Sequence, residues 1–309
     1  MGCNFPLRAW KLPPGVCDSE GRTIVFSDPR GRYLPRGAFS PKCEEILIPC
    51  GQCMGCRLQH SLEWAVRLEH ESTLHPHSVF LTLTYNDDEL PDSDRFLGGN
   101  LHYKDLQDFW KRLRKNSGQK LRYYSAGEYG DQTKRAHFHA IVFGYLPGDL
   151  QLYKVHRGHY LFLSEFLTKT WGHGYVVVAP VTFETCAYVA RYVLKKRRKS
   201  MQDYESYYYG REPEKALMSR RPGIARDFVE KYLSDIYPSD IVICSDGKRK
   251  LRPPKYYDKI YDNVDHEALK ALKDQRKNYI KQKDVDPQRL FAREIIMKDR
   301  VTMKKRSAI

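Results

Sequence analysis

Hydrophobic and polar positions follow the period of a β-strand in four segments of the chain. The clearest is 79–85, where β-branched and aromatic residues dominate. Three more strands are predicted at 121–126, 137–143 and 175–179, and glycine or proline residues interrupt the pattern near each of them. The first two thirds of the chain should therefore contain a β-sheet.

A helical period separates these strands. Leu106, Phe109, Trp110 and Leu113 have the i, i+3, i+4, i+7 spacing of one apolar helix face. Since helices alternate with strands, the pattern favours an α+β fold in which helices pack on an antiparallel sheet. Further helices are predicted at 58–74, 165–171, 182–199, 224–234 and 264–282, and again after Pro287.

Composition divides the chain into three predicted regions. Residues 1–76 form a Cys-rich N-terminal region, in which 1–49 is expected to be irregular and a helix follows. Residues 77–200 carry the predicted α+β core. Residues 201–309 are basic and rich in tyrosine, and helices are expected there.

Charge points to a polyanionic partner. The chain has 309 residues with Lys+Arg 53 against Asp+Glu 38, a formal net charge of +15. Nucleic acid is the first partner to consider, although a merely basic protein would have the same composition. The sequence has no apolar run of ~18 residues and no apolar signal segment at its start, so we expect no membrane partner and a cytoplasmic location.

Three of the eight cysteines have the short spacing of a structural zinc knuckle: Cys50, Cys53 and Cys56. A fourth ligand is needed, and Cys3, Cys17, Cys43 or a histidine is available for it. In a reducing compartment, metal ligands or free thiols are expected rather than disulfides. Reduced thiols, a redox pair and an iron–sulfur cluster are the alternatives.

A His-x-His sequence lies within the third predicted strand. Because strand side chains alternate, His137 and His139 should point to the same face, about 7 Å apart along the strand. Two such imidazoles can chelate a divalent cation. Glu128, at the end of the preceding strand, would join them if the two strands form a hairpin. Unrelated surface histidines and a solvated turn residue are the alternatives.

Two tyrosines share one face of the helix predicted at 182–199. Tyr188 and Tyr192 are at i, i+4, which places their Cβ atoms roughly 5–6 Å apart. Such pairs usually serve core packing, but Lys195 and Lys199 continue the same face and favour an anionic ligand. A basic run follows and is expected to contact DNA, with a solvated surface as the alternative; it comprises Lys196, Arg197, Arg198 and Lys199.

Taken in order, these motifs resemble the HUH endonuclease superfamily of rolling-circle replication initiators, named for its His-hydrophobic-His motif. The matching segments are FLTLTY at 80–85, GEYG at 127–130, HFH at 137–139 and the pair Tyr188 and Tyr192. The resemblance covers most of 43–260 and is strongest to the initiation proteins of small single-stranded DNA bacteriophages (microvirus, gokushovirus-like). Further similar segments are PCGQCMGCR at 49–57, SRRPGI at 219–224 and PKYY at 254–257.

This resemblance implies an RRM-like or ferredoxin-like core and a Mg²⁺ or Mn²⁺ ion held by His137, His139 and Glu128. Tyr192 or Tyr188 would attack a phosphate of single-stranded viral origin DNA and leave a 5′-phosphotyrosine link and a 3′-hydroxyl. Lys195 or Lys199 would stabilise the phosphate charge, with assistance to proton transfer as the alternative. The order in which the two tyrosines act stays open. An early cysteine is also typical of these phage proteins, which favours Cys3 as the fourth zinc ligand.

The implied partners are the viral origin DNA, a host DNA polymerase that extends the 3′-hydroxyl, and a host helicase, since the sequence has no P-loop helicase motif. Neither a membrane nor a small-molecule substrate is expected, and the host cytoplasm is the expected location. Two other functions remain open: a non-enzymatic, zinc-containing DNA-binding regulator, and a single-strand transposase of the same superfamily.

Overall fold

The structure is a computed structural model that describes residues 2–18, 20–26, 43–156, 158–195, 208–237, 239–245, 247, 249–281 and 286–306. For 192–195, 277–281 and 304–306 it describes the backbone alone. The chain folds as two compact units, one made of 1–59 with 283–309 and the other of 60–282. The three regions that composition suggests stay a prediction.

The described strands and helices follow one another in an α+β order. The strands are β1 (Leu7–Lys11), β2 (Ile24–Val25), β3 (Glu44–Ile48), β4 (Ser78–Tyr85), β5 (Arg122–Tyr129), β6 (Ala136–Phe143), β7 (Gln151–His156), β8 (His159–Leu163), β9 (Gly174–Pro180), β10 (Ala216–Met218), β11 (Val242–Ile243) and β12 (Lys250–Leu251). The helices are α1 (Met54–Ser72), α2 (Tyr103–Ser117), α3 (Glu165–Trp171), α4 (Phe183–Lys195), α5 (Arg226–Ile236), α6 (Lys255–Asp262), α7 (His266–Lys281) and α8 (Pro287–Arg306).

A seven-stranded sheet forms the centre of the larger unit, in the order β10-β5-β6-β4-β9-β8-β7. All of its neighbouring strands pair antiparallel. Four of its strands, adjacent in the order β5-β6-β4-β9, combine with α2 and α3 in the βαββαβ connectivity of a ferredoxin-like fold. The predicted α+β class is therefore confirmed.

One face of this sheet is covered by α2 and α3. In β4 the alternate residues Val79, Leu81, Leu83 and Tyr85 are buried on this face. Fully burying one such side chain contributes about 1.5–3 kcal/mol, so the alternation read from the sequence fixes which face the helices cover. The helices contribute Leu106, Phe109, Trp110 and Leu113 from α2, and Leu167 and Trp171 from α3.

The opposite face of the sheet has a separate core. Phe80, Ile141 and Phe143 are buried there among side chains of α1, α4 and α5. Further along the same face, toward Thr84 and His137, the side chains are only partly buried. This second face therefore combines a covered region with a region that a ligand can reach.

Several segments differ from the sequence-based expectation, among them β10, β11, β12 and α6, which were not predicted. Residues 1–49 were expected to be irregular, and this is wrong in part, because β1 pairs with both β2 and β3 in a small antiparallel sheet. Only Ala9 of β1 is buried, so the strand shows no apolar alternation. The hairpin of β7 and β8 was also missed, since every residue of β7 is exposed.

Within the described ranges we find no helix whose length and apolar content would carry it across a bilayer.

Candidate metal and nucleophile site

Strand register brings three of the predicted ligands together on the second face of the sheet. Glu128 of β5 pairs directly with His137 of β6. His139 lies two residues along β6, so that its side chain points to the same side as that of His137. The predicted hairpin between these strands is thus present, and its pairing places the carboxylate beside both imidazoles.

The three side chains converge through single atoms. The Nε2 atoms of His137 and His139 are 3.1 Å apart. Oε2 of Glu128 is 3.2 Å from the first of these nitrogens and 3.1 Å from the second. Glu128 and His139 are buried, and His137 is partly exposed. A buried carboxylate next to two imidazole nitrogens is an environment that favours a bound cation.

Hydrogen bonds on the far side of each ring orient the imidazoles. Nδ1 of His137 lies 2.9 Å from the carbonyl oxygen of Arg135, which can only accept, so this contact favours the tautomer that has its proton on Nδ1 and leaves Nε2 to bind a cation. Nδ1 of His139 lies 3.1 Å from Oγ1 of Thr82 on the neighbouring strand. Metal-binding histidines usually have such a partner on the nitrogen that does not face the ion.

The donor set fits a divalent cation. An ion that binds its ligands at about 2.1 Å in octahedral geometry separates adjacent ligand atoms by about 3.0 Å. The observed separations of 3.1, 3.1 and 3.2 Å are close to that value. Two imidazole nitrogens and one carboxylate oxygen would fill one side of the ion and leave other positions for phosphate oxygens or water.

We expect Thr82→Val to lower the affinity of the protein for Mn²⁺ by about 10- to 100-fold, because the valine keeps the volume but removes the hydroxyl that orients His139. Titration calorimetry would measure this change. Thr73→Val, in the turn directly after α1, removes a hydroxyl that donates to the His70 carbonyl and serves as the control. Equal Mn²⁺ affinity in both variants would contradict the role given to Thr82.

The backbone around Glu128 is held from both sides. On the side away from β6, Gly127 N–H donates to the Lys215 carbonyl and Tyr129 N–H donates to the Glu214 carboxylate. Gly127 itself faces α2, and a Cβ there would lie 2.6 Å from the Tyr103 hydroxyl. The glycine next to Glu128 is therefore required by the close approach of Tyr103, and this packing fixes the strand that carries the carboxylate.

Helix α4 brings Tyr188 to the same place. Its first turn is capped by Thr182, whose Oγ1 accepts from Thr185 N–H at 3.2 Å. Cys186, Val189 and Ala190 are buried against the sheet. On the adjoining side of the helix, the Tyr188 hydroxyl lies 3.5 Å from Nε2 of His139. The Tyr188 ring meets that of His139 edge-on, and the residue as a whole is 39% exposed, so a ligand can approach it from solvent.

The other predicted residues of α4 and of the segment beyond it are outside the described part of the molecule. This applies to the side chains of Tyr192 and Lys195, and to the basic run Lys196, Arg197, Arg198 and Lys199. The roles of Tyr192 as one of the two candidate nucleophiles, of Lys195 as an electrostatic aid and of the basic run as a DNA contact stay predictions.

The four cysteines named from the sequence also come together. The sulfur atoms of Cys3, Cys50, Cys53 and Cys56 all lie within 4.8 Å of one another, and those of Cys3 and Cys53 are 3.8 Å apart. A tetrahedral zinc ion bound to sulfur at about 2.3 Å would separate the sulfurs by about 3.8 Å. The donor set therefore fits a structural zinc ion.

Backbone N–H groups surround the sulfurs. Cys50 N–H donates to Sγ of Cys3 at 3.2 Å, and Asn4 N–H donates to Sγ of Cys53 at the same distance. Burial opposes ionisation of the Cys53 thiol, but the N–H groups of Asn4 and Cys56 and the neighbouring thiols outweigh it and lower the pKa of Cys53 to about 7. A thiol that ionises readily is a better metal ligand.

The C-terminal helix α8 supports this cluster. The Glu294 carboxylate accepts from the Asn4 side chain at 2.7 Å and from Met54 N–H at 2.9 Å. Arg293 donates to the Cys3 carbonyl at 3.0 Å. Gly55 permits the approach of the N-terminal segment, because a Cβ there would lie 2.3 Å from the Gly2 carbonyl oxygen. Residues from both ends of the chain thus hold the four cysteines.

Sequence reasoning missed the residues that orient the ligands. Thr82 and Thr84 are the polar members of the β4 face opposite Leu81 and Leu83, and Thr82 pairs with His139. Alternation alone places both threonines on one face of β4, but only the strand order shows that this face adjoins the histidines. The Arg135 carbonyl could not be found from the sequence, because its role depends on the backbone path alone.

A ferredoxin-like antiparallel core with a His-x-His strand, a neighbouring glutamate and a tyrosine on the helix that follows is the arrangement that the resemblance to rolling-circle replication initiators leads us to expect. The family described as "Replication-associated protein ORF2/G2P" matches residues 78–197, the segment that contains this site. No solved structure matches the chain.

Phage proteins match over a longer stretch. The replication-associated protein VP4 of Bdellovibrio phage phiMH2K is 32% identical over 262 residues, which cover 84% of this chain and 76% of that protein. The replication-associated protein ORF2 of Spiroplasma virus 4 is 30% identical, over 81% of this chain and 77% of its own. The replication-associated protein ORF4 of Chlamydia phage 1 is 37% identical over 158 residues, which cover 48% of this chain and 38% of that protein. The chain therefore belongs to the phage replication-associated protein family, and its resemblance to phage rolling-circle initiators is confirmed.

Proposed function

We propose that this protein starts phage DNA replication in the host cytoplasm by nicking single-stranded origin DNA through a tyrosine. One observation carries the proposal: the Tyr188 hydroxyl lies 3.5 Å from His139, within the cluster formed by Glu128, His137 and His139. Pure DNA binding requires neither a cation site nor a hydroxyl beside it. The arrangement therefore favours a nuclease over a regulator that only binds.

In the proposed step, the Tyr188 oxygen attacks a phosphorus of the DNA backbone. The new bond joins the phenol oxygen to phosphorus, and the bond from phosphorus to the 3′-oxygen breaks. The phenol proton passes to solvent, and the departing 3′-oxygen takes one up. The phosphodiester energy is conserved in the 5′-phosphotyrosine link, so a DNA 3′-hydroxyl can later reverse the step and rejoin the strand without ATP.

His137, His139 and Glu128 would hold a Mg²⁺ or Mn²⁺ ion. When bound, this ion supplies Lewis-acid polarisation of the phosphate and neutralises its charge. The protein residues keep the site ready for it, because the Arg135 carbonyl and Thr82 orient the rings. A host polymerase would extend the 3′-hydroxyl, and a host helicase would open the duplex.

We expect Tyr188→Phe to reduce the amount of DNA covalently bound to the protein, and Tyr188→Phe combined with Tyr192→Phe to abolish it. The phenylalanine keeps the ring packed on His139 and removes only the attacking oxygen. The measurement is the detergent-resistant protein–DNA adduct formed on single-stranded viral DNA with Mg²⁺ or Mn²⁺. Mass spectrometry of the crosslinked peptide would identify which tyrosine is bonded to the DNA.

Tyr160→Phe is the matched control, because Tyr160 is also exposed but lies on β8. It should form the adduct at the wild-type level. A division of labour between the two tyrosines predicts that Tyr188→Phe still nicks but rejoins strands poorly, and normal rejoining by this variant would contradict it. Wild-type adduct formation by the double variant would rule out tyrosine chemistry at this site.

A further inference from the structure

A cavity of about 300 Å³ opens on the same face of the sheet as the metal ligands. Phe80 and Thr82 of β4 and Val177 and Ala179 of β9 form its floor. Tyr153 and Lys154 of β7 form a wall. The volume is at the lower limit of ~300–1,000 Å³ for ligand pockets, which suits one flat ring system rather than an extended molecule.

An irregularity in β7 creates this wall. Leu152 pairs with Phe162 and Lys154 pairs with Leu161, so Tyr153 is an extra residue without a partner on β8. In a regular strand, consecutive residues point to opposite faces. The bulge removes that alternation locally, and both Tyr153 and Lys154 line the cavity. An aromatic ring and an ammonium group therefore face the same space.

The cavity is continuous with the metal site through shared residues. Thr82 lines the cavity, and its hydroxyl lies 3.1 Å from Nδ1 of His139. The Phe80 ring stacks on that of His139 at 5.5 Å and meets the Tyr188 ring edge-on at 6.2 Å. A molecule bound in the cavity would therefore contact Thr82 and Phe80, which in turn contact His139, and Phe80 also contacts the proposed nucleophile Tyr188.

Resting on the proposed function, we propose that this cavity binds one unpaired base of the DNA strand, next to the scissile phosphate. The Tyr153 ring, 53% exposed, stacks on the base against the apolar floor. Lys154, whose ammonium lies 5.1 Å from the centre of the Tyr153 ring, contacts the adjoining backbone phosphate. Aromatic stacking together with a cation for the phosphate is the usual basis of single-strand binding.

This site would discriminate single strands from duplexes. A base in a duplex is paired and stacked, so it must break its pairing and stacking before it can enter the cavity. The bulged hairpin would thereby hold one nucleotide in register with the metal ligands. Positioning the phosphate in this way reduces the entropy cost of the attack.

Binding of fluorescent DNA without Mg²⁺ or Mn²⁺ tests the proposal apart from any cleavage. The probes are an oligothymidylate of about 15 nucleotides and an abasic strand of the same length and charge. We expect wild type to bind the oligothymidylate more tightly than the abasic strand. Tyr153→Ala should weaken oligothymidylate binding by about tenfold and leave abasic binding unchanged. Tyr153→Phe should retain wild-type binding, because it keeps the ring.

Tyr160→Ala, which changes another exposed tyrosine of the hairpin, is the control and should bind both strands as wild type does. Equal wild-type affinity for the two strands would overturn the base pocket. An equal loss of oligothymidylate affinity in Tyr153→Ala and Tyr160→Ala would also overturn it. The base pocket is tested by DNA binding without a metal, whereas the nicking function is tested by adduct formation. A negative result in one measurement therefore leaves the other proposal standing.

Discussion

Replacing His137 by alanine is expected to abolish covalent attachment of the protein to single-stranded origin DNA. The change removes one of three donor atoms that lie 3.1–3.2 Å apart. Loss of only an orienting residue around a metal typically costs 10- to 100-fold in affinity, so loss of a ligand should cost more than about 100-fold. The adduct on a denaturing gel and Mn²⁺ binding by calorimetry should disappear together.

His266→Ala provides the control for this experiment, because His266 is exposed on α7 and pairs with Asp262 of the preceding helix. Its adduct yield and Mn²⁺ affinity should equal those of wild type. Circular dichroism should show that His137→Ala keeps the fold, since the His137 side chain is only partly buried. Nicking by a folded His137→Ala protein would exclude the metal-assisted mechanism.

Replacing Cys53 by serine is expected to release zinc and unfold the unit formed by 1–59 and 283–309. Cys53 is buried, and its sulfur lies 3.8 Å from that of Cys3. Structural zinc contributes about 10–16 kcal/mol of apparent binding free energy in small zinc-binding domains, which is comparable with the whole free energy of unfolding of a typical domain, about 5–15 kcal/mol. Elemental analysis should find one zinc per wild-type chain and none in Cys53→Ser.

Limited proteolysis would show the structural consequence, because the segments around β1 and α8 should become sensitive in Cys53→Ser. Cys17→Ser is the matched control, since Cys17 is an exposed cysteine outside the cluster. It should keep both the zinc and the resistance to protease. Absence of zinc from the wild-type protein, with thiols that react freely, would show that the four cysteines serve another purpose.

The metal site illustrates what a local pattern can and cannot supply. Alternation in the strand that became β6 was enough to place His137 and His139 on one face, because the side-chain period of a strand is two residues. Their partner Glu128 followed from a hairpin with a short loop. Thr82 contacts His139 through the order of the sheet, in which β4 lies beside β6 although 57 residues separate the two side chains. Spacing along the chain carries no information about such a contact.

The sequence by itself determined the α+β class, the positions of the main strands of the large sheet and the residues of the two candidate metal sites. It did so because periodicity, glycine and proline positions, and the spacing of His, Cys and Tyr are local properties. Only the tertiary structure decided that Glu294 and Arg293 of the C-terminal helix support the cysteine cluster. Only the tertiary structure showed that Tyr153, at a bulge in β7, lines the same cavity as Thr82. Both depend on contacts between distant segments, which burial and strand order fix once the whole chain has folded.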